Sequence, residues 1–247
     1  MAETTARHAR QEPRAGIGRS MLLLLRDLVV VFLLAVLISF LVKTFLLKPF
    51  FIPSESMAST LQVDDRIAVS LLSPSPIEVQ RGDVVVFEDP GGWLHHQPTT
   101  GPGGVSGAFG DFMVFIGLAP DDSHGYLVKR VIGLPGDRVE CCNDFGQLTV
   151  NGVPVNETYL RLDDPGLPAS GSDFSVVVPE GQYWLLGDNR YHSADSRAHI
   201  DGPLGGFVPE ENLVGRAIFI TWPLDRVTWL TNHEAVFSGV PDAVDAP

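Results

Sequence analysis

Two hydrophobic textures divide the chain. Residues 28–42 are almost unbroken aliphatic, and with Lys43 and Thr44 tolerated the run continues through Leu47. About 20 apolar residues suffice for a helix to cross a hydrocarbon core, so this run predicts a transmembrane helix, with the anchor spanning 21–48. Beyond it the pattern shortens. Val-, Ile-, Leu- and Phe-rich runs at 66–72, 83–87, 126–132, 147–150, 175–178, 183–186 and 214–221 are separated by Gly, Pro, Asn and Asp, which predicts strands of an antiparallel β domain. Asn151-Gly152, between Val150 and Val153, is a two-residue hairpin signal. One apolar stretch, 108–118, predicts a short helix inside a Pro/Gly-rich insert at 89–125. The expected order is a tail at 1–20, the anchor at 21–48, a β domain at 49–230 and a C-terminal tail at 231–247. The first tail has no sustained apolar period and is expected to be disordered.

Charge sharpens this division. Residues 1–48 hold seven basic side chains against three acidic ones, whereas the remainder holds ten basic and 27 acidic, for a total of −13. Five of the basic residues precede the apolar run, so the positive-inside rule places the N-terminus in the cytoplasm and residues 49–247 outside. A cleavable export signal would have a shorter apolar core and a small-x-small exit; the exit here contains Phe45, Leu46, Leu47, Lys48 and Pro49, which favours an uncleaved anchor. A β domain this acidic argues against nucleic acid as a partner.

Lys129 is the only lysine after Lys48, and it lies in the apolar stretch Tyr126-Leu127-Val128-Lys129-Arg130-Val131-Ile132. Two readings of it stay open. It either snorkels its charge to water from a strand edge, or it is buried and its pKa falls toward neutrality by desolvation, making it a base for a serine hydroxyl. Two serines, Ser54 and Ser56, stand between apolar residues just past the membrane exit. The seven histidines form no triad pattern with either. His95-His96 lacks acidic or Cys partners at ligand spacing, so neither a metal nor another cofactor is expected. Adjacent Cys141 and Cys142 are expected as two buried thiols in a strand. Trp93, Trp222 and Trp229 suit either a membrane surface or a core.

Several motifs then occur in order: Pro53-Ser54-Glu55-Ser56-Met57; Arg81-Gly82-Asp83-Val84-Val85-Val86-Phe87; 126–137 around Lys129; Gly187-Asp188-Asn189-Arg190 followed by Ser193-Ala194-Asp195-Ser196-Arg197; and Val214-Gly215-Arg216-Ala217. In order, spacing and preceding anchor, the chain resembles type I signal peptidase, with the single anchor and long insert of the family's Gram-positive branch. The resemblance implies an extracytoplasmic β-sheet catalytic domain and a serine endopeptidase. Its partners would be membrane lipid and precursor proteins bearing signal peptides, cut after small-x-small sites. Ser56 would be the nucleophile, Lys129 its base, Ser54 an oxyanion-hole hydroxyl, and Ser193 a hydrogen-bond partner orienting the Lys129 amine. Asp195 and Arg197 would be a supporting pair, and Asp188 and Arg190 are expected as ordinary turn and salt-bridge structure. Ile52 and Met57 beside Ser56, with Leu127 and Val128 beside Lys129, are bulky and apolar, leaving shallow pockets for alanine-sized groups of the substrate.

The chain departs from the family pattern at Ser59, where Met-x-Pro-Thr-Leu usually places proline. That loss is expected to loosen the turn after the nucleophile without removing a catalytic atom. Two other classes compete with the peptidase. A self-cleaving repressor would pair such a domain with a DNA-binding segment, whereas this chain has a membrane helix and an acidic balance. A catalytically silent relative would not need to keep both Ser56 and Lys129.

Overall fold

The computed structural model describes residues 17–94, 125–160, 162–164 and 166–243. The chain forms two compact units, 1–42 and 43–247. The first is dominated by helix α1, Ile17–Phe45, within which Met21–Val42 has a mean hydropathy of 2.8 and none of its apolar side chains buried. No proline or glycine interrupts it after Gly18, and the chain turns at Leu46 before Pro49. The helix therefore ends sooner than the apolar run, and Leu47 and Lys48 belong to the first strand.

The second unit is mainly β, as the short runs predict. Its larger sheet contains β1 (Leu47–Phe51), β2 (Arg66–Ser70), β3 (Val84–Glu88), β4 (Tyr126–Gly133), β9 (Gln182–Leu186), β10 (Val208–Pro209), β11 (Leu213–Trp222) and β12 (Thr228–Trp229). A smaller sheet contains β5 (Arg138–Cys141), β6 (Thr149–Val150), β7 (Val153–Pro154) and β8 (Phe174–Val177). The strands follow the order β1-β2-β11-β3-β4-β9-β10 in the first, with β12 on β11, and β7-β6-β5-β8 in the second. Every pairing is antiparallel.

The period-two alternation of β3 shows how the large sheet is filled. Val84 and Val86 pack on one face with Ile52, Met57, Leu61, Ile67 and Val69, while Val85 and Phe87 pack on the other with Val131, Leu185 and Leu213. A third core lies at the small sheet, where Val139, Leu148 and Val150 meet Ile132, Trp184 and Leu186. Gly133 permits this approach, since a Cβ there would stand 2.7 Å from Val139 Cγ2 and 2.9 Å from Val178 Cγ2.

The Asn151-Gly152 hairpin forms as its sequence requires. Both residues have positive φ, 51° and 78°, and Val150 pairs with Val153. Two expectations change, and one left open is decided. Cys141 and Cys142 are joined in a disulfide rather than remaining thiols. The segment after 231, read as a tail, carries the short helix α2 (Glu234–Phe237), and Phe237 is buried in the third core. Trp93 is buried, whereas Trp222 and Trp229 are 50% and 68% exposed. The expected helix at 108–118 and the His95-His96 pair lie outside the described residues.

Candidate active site

The candidate nucleophile sits on a turn fixed at both ends. Ile52 and residues 64–65 exchange backbone bonds, Ile52 N–H to Asp65 O at 2.9 Å and Asp64 N–H to Ile52 O at 3.0 Å, which closes the loop that begins at Pro53. Within it Ala58 N–H bonds Glu55 O and Leu61 N–H bonds Met57 O, so the chain coils tightly after Ser56. Met57 and Leu61, 1% and 0% exposed, anchor this coil in the core and leave Ser54 and Ser56 on its outer side. Asp65 closes the far end, accepting Gln62 N–H and both Nε and Nη2 of Arg226.

Lys129 comes from the middle of β4, opposite Val85 on β3. Its side chain is 3% exposed, and Nζ donates to Ser56 Oγ at 2.8 Å and to Val128 O at 3.0 Å. The snorkelling alternative is therefore excluded. Burial lowers its pKa from 10.5 to about 8, even though the charges of Asp195 and Asp188 act in the opposite direction. At pH 7 about one amine in ten is then neutral, against about one in 2,500 for a free lysine. Ser54 Oγ lies 3.4 Å from Ser56 Oγ, placing a second hydroxyl beside the candidate nucleophile.

The loop after β9 closes the site from below. Gly187 touches both the Ser56 carbonyl and Ser193, and a Cβ there would collide with each. Asn189 then clamps the turn, its backbone N–H bonding Ser56 O at 3.1 Å and its Nδ2 bonding Glu55 O at 3.1 Å. Ser193 Oγ is buried, but its bond to the Lys129 amine is not formed. The hydroxyl falls short of a well-formed hydrogen bond, yet it lies close enough to Asp195 to favour that residue's ionised form. Asp195 is fully buried, accepting Gly187 N–H at 2.9 Å and Arg197 Nε and Nη2 at 2.8 and 2.7 Å. Burial alone would raise its pKa; the Arg197 hydrogen bonds and charge outweigh that and hold it below the usual carboxylate value.

Asp188 and Arg190 form the salt bridges expected of them, both buried. Asp188, in the loop after β9, accepts Arg130 Nε at 2.8 Å and Nη2 at 2.6 Å together with Thr60 Oγ1 at 2.5 Å, and so ties that loop to β4 and to the nucleophile turn. Arg190 pairs with Glu157 through two hydrogen bonds of 2.8 and 2.5 Å and donates to Gly187 O. Tyr159 links the two pairs, bonding Glu157 through its hydroxyl at 2.7 Å and lying under the Arg130 guanidinium, 4.1 Å from the ring centre. The sequence alone assigned no role to Thr60, Arg130, Glu157, Tyr159 or Asn189, although Arg130 stood as a second cation in the apolar run of Lys129, Asn189 in the Gly187-Asp188-Asn189-Arg190 motif and Thr60 in the Met-x-Pro-Thr-Leu position.

Two further expectations change here. Ser59 adopts φ 128°, which a proline ring excludes, and its Oγ donates to Tyr159 O at 2.7 Å. The turn is thus tied down rather than loosened at the position where the pattern expects proline. The four apolar residues proposed to face substrate do not form one wall. Ile52, Met57 and Val128 pack in one core, while Leu127 packs against the core on the opposite face of the sheet.

A serine hydroxyl bonded to a buried amine of lowered pKa, framed by buried ion pairs, can deprotonate and attack a carbonyl without histidine or metal. Comparison with known proteins agrees in kind. The family model "Signal peptidase, peptidase S26" matches residues 25–222. Signal peptidase I of Mycobacterium tuberculosis (strain H37Rv) is 42% identical over 219 residues, covering 82% of this chain and 74% of that protein. Signal peptidase I S of Bacillus subtilis (strain 168) is 31% identical over 200 residues, covering 78% and 87%. A crystal structure of signal peptidase I from Enterococcus faecalis V583 aligns with 57% of this chain and 98% of its own, at 29% identity and a TM-score of 0.37. With the matched region running from inside α1 to the end of β11, and so containing both Ser56 and Lys129, the chain belongs to the signal peptidase family, peptidase S26.

Proposed function

We propose that the protein is a membrane-anchored serine endopeptidase that removes signal peptides from exported precursor proteins. The observation that carries this reading is the 2.8 Å hydrogen bond from the buried Lys129 amine to Ser56 Oγ. In the acylation step Lys129 Nζ takes the Ser56 proton as Oγ bonds the scissile carbonyl carbon. The resulting ammonium then protonates the leaving nitrogen as the C–N bond breaks. Water, deprotonated by the same amine, attacks the acyl-enzyme carbonyl, and the proton returns to Ser56 as the ester opens. Ser54 Oγ and the Ser56 backbone N–H stabilise the oxyanion of each tetrahedral intermediate. Asp195 with Arg197 and Asp188 with Arg130 act indirectly, by fixing the loop and strand that hold Ser56 and Lys129. Ile52, Met57 and Val128 supply the apolar wall that admits alanine-sized side chains at −1 and −3 of the substrate.

The excess of basic residues before the apolar run at 28–42 supports a cytoplasmic N-terminus and a catalytic domain on the outer face, with α1 in contact with lipid. The test is cleavage of a precursor by wild type, Ser56→Ala, Lys129→Ala and Lys129→Arg. Each variant is expected to lose at least about 10⁴-fold in rate while keeping its fold, the arginine variant because a guanidinium stays protonated. Appreciable turnover by Lys129→Arg removes lysine from the base role.

A further inference from the structure

A pocket of about 360 Å³ opens directly beside the nucleophile turn, lined by turn residues between Glu55 and Val63 on one side and by Asp163, Asn189 and His192 on the other. It shares no lining residue with the apolar wall of Ile52, Met57 and Val128. Glu55 immediately precedes Ser56, and Asn189 holds the carbonyls of both, so the pocket and the nucleophile are fixed by the same residue. Nothing in the proposed cleavage steps uses it.

We infer that this pocket receives the side chain at position +2 of the mature protein and that it favours a cation there. The inference rests on the reading of the site as a precursor-cleaving centre. A polypeptide crossing Ser56 continues on both sides of the scissile bond, and the apolar wall accounts for the signal-peptide side only. Side chains of an extended chain alternate between faces, so if −3 and −1 point into the enzyme, +1 points away and +2 points in again. The polar side of the pocket sets the preference. Glu55 and Asp163 contribute two carboxylates, against one imidazole, His192, whose Nδ1 lies 3.7 Å from Asp163 and 3.2 Å from Asn189 Oδ1. Protonated or not, His192 leaves the carboxylates in excess.

The experiment uses the full-length enzyme in detergent and one precursor carrying Lys, Gln or Glu at +2. Because the carboxylates are solvent-accessible, the expected discrimination is modest: kcat/KM falls in the order Lys, Gln, Glu, with a Lys-to-Glu ratio of about fivefold at low salt. That ratio, taken within each variant, should shrink in Asp163→Asn and in Glu55→Gln and approach one in the double variant, whatever their overall rates. The same substitutions at +6 should give a ratio near one in the wild type. A ratio near one at +2, a ratio that survives the double variant, or equal ratios at +2 and +6 overturns the pocket and leaves the peptidase reading standing, the last because it shows only the acidic field of the whole domain. Failure to cut any of the precursors overturns both.

Discussion

Lys129 and Arg130 are neighbours on one strand, both buried, and the protein treats them in opposite ways. Arg130 is given a full set of partners: Asp188 at 2.8 and 2.6 Å, Gly82 O at 2.6 Å, Thr60, and the face of Tyr159. Burial pulls its pKa down, but the Asp188 charge and hydrogen bonds outweigh that, and it ends above its usual value. Among the described residues, no carboxylate hydrogen-bonds the Lys129 amine, which donates to a serine hydroxyl and a carbonyl, while Asp195 and Asp188 act on it from further off, so burial dominates and its pKa drops to about 8. The same burial thus stores a permanent charge at one position and a removable proton at the next. What distinguishes the structural cation from the candidate base is the guanidinium's own higher basicity together with a carboxylate in contact, not depth.

The sharpest way to break the contrast is to remove each side's defining feature and compare stabilities. Asp188→Asn leaves the Arg130 guanidinium buried without a counter-charge and should cost on the order of 3–5 kcal/mol in denaturant unfolding. Lys129→Met removes an uncompensated ammonium and should do the reverse. With a folded pKa of about 8 against about 10.5 unfolded, the cost of burying that charge is fully present below pH 8 and fades as pH rises toward 10.5. The methionine variant should therefore gain on the order of 3 kcal/mol at pH 6 and progressively less above pH 8. Equal signs for the two variants would erase the distinction. Asp188→Asn has a second signature: because the Asp188 charge helps keep the proton on Lys129, its loss should move that titration below 8.

A smaller effect tests how the turn presents Ser56. Restoring the family's proline as Ser59→Pro demands a negative φ where the backbone has 128° and deletes the 2.7 Å bond to Tyr159. It should cost about 1–3 kcal/mol of stability and lower kcat, whereas Ser59→Ala, which loses the bond alone, should cost about 1 kcal/mol. Thermal melts and precursor kinetics on the pair decide it; a proline variant at least as stable as the alanine one would mean that the turn does not require this conformation.

Much of this was readable from the sequence, for identifiable reasons. Period-two runs marked most of the longer strands, Asn151-Gly152 marked its hairpin, and a lone lysine in an apolar run marked the candidate base. The strands without a predicted run have separate reasons: β1 (Leu47–Phe51) begins inside the predicted anchor, β5 (Arg138–Cys141) alternates with the charges of Arg138 and Glu140, and β10 and β12 are two residues long and carry no period. Asp195 and Arg197, two residues apart, were expected as a pair, whereas the partners of Arg130 and Arg190 were illegible because they are remote in sequence: Arg130 and Asp188 are 58 residues apart, and Arg190 and Glu157 are 33 apart. No local pattern announces such a pairing. Nor does one reveal that Phe237, in a stretch of mixed composition, fills a core formed by strands between Ile132 and Leu186.

The central claim is that Lys129 titrates near neutrality while bonded to Ser56. It is tested most directly by following the Lys129 Nζ and Cε resonances by NMR across pH 6 to 11 in the Ser56→Ala enzyme and the wild type, alongside the wild-type kcat/KM profile. A wild-type midpoint near 8, matched by an acidic limb of activity that rises through the same pH, is the predicted result. A midpoint near 10.5 with activity already at its plateau at pH 7 would show that the buried amine is not the base.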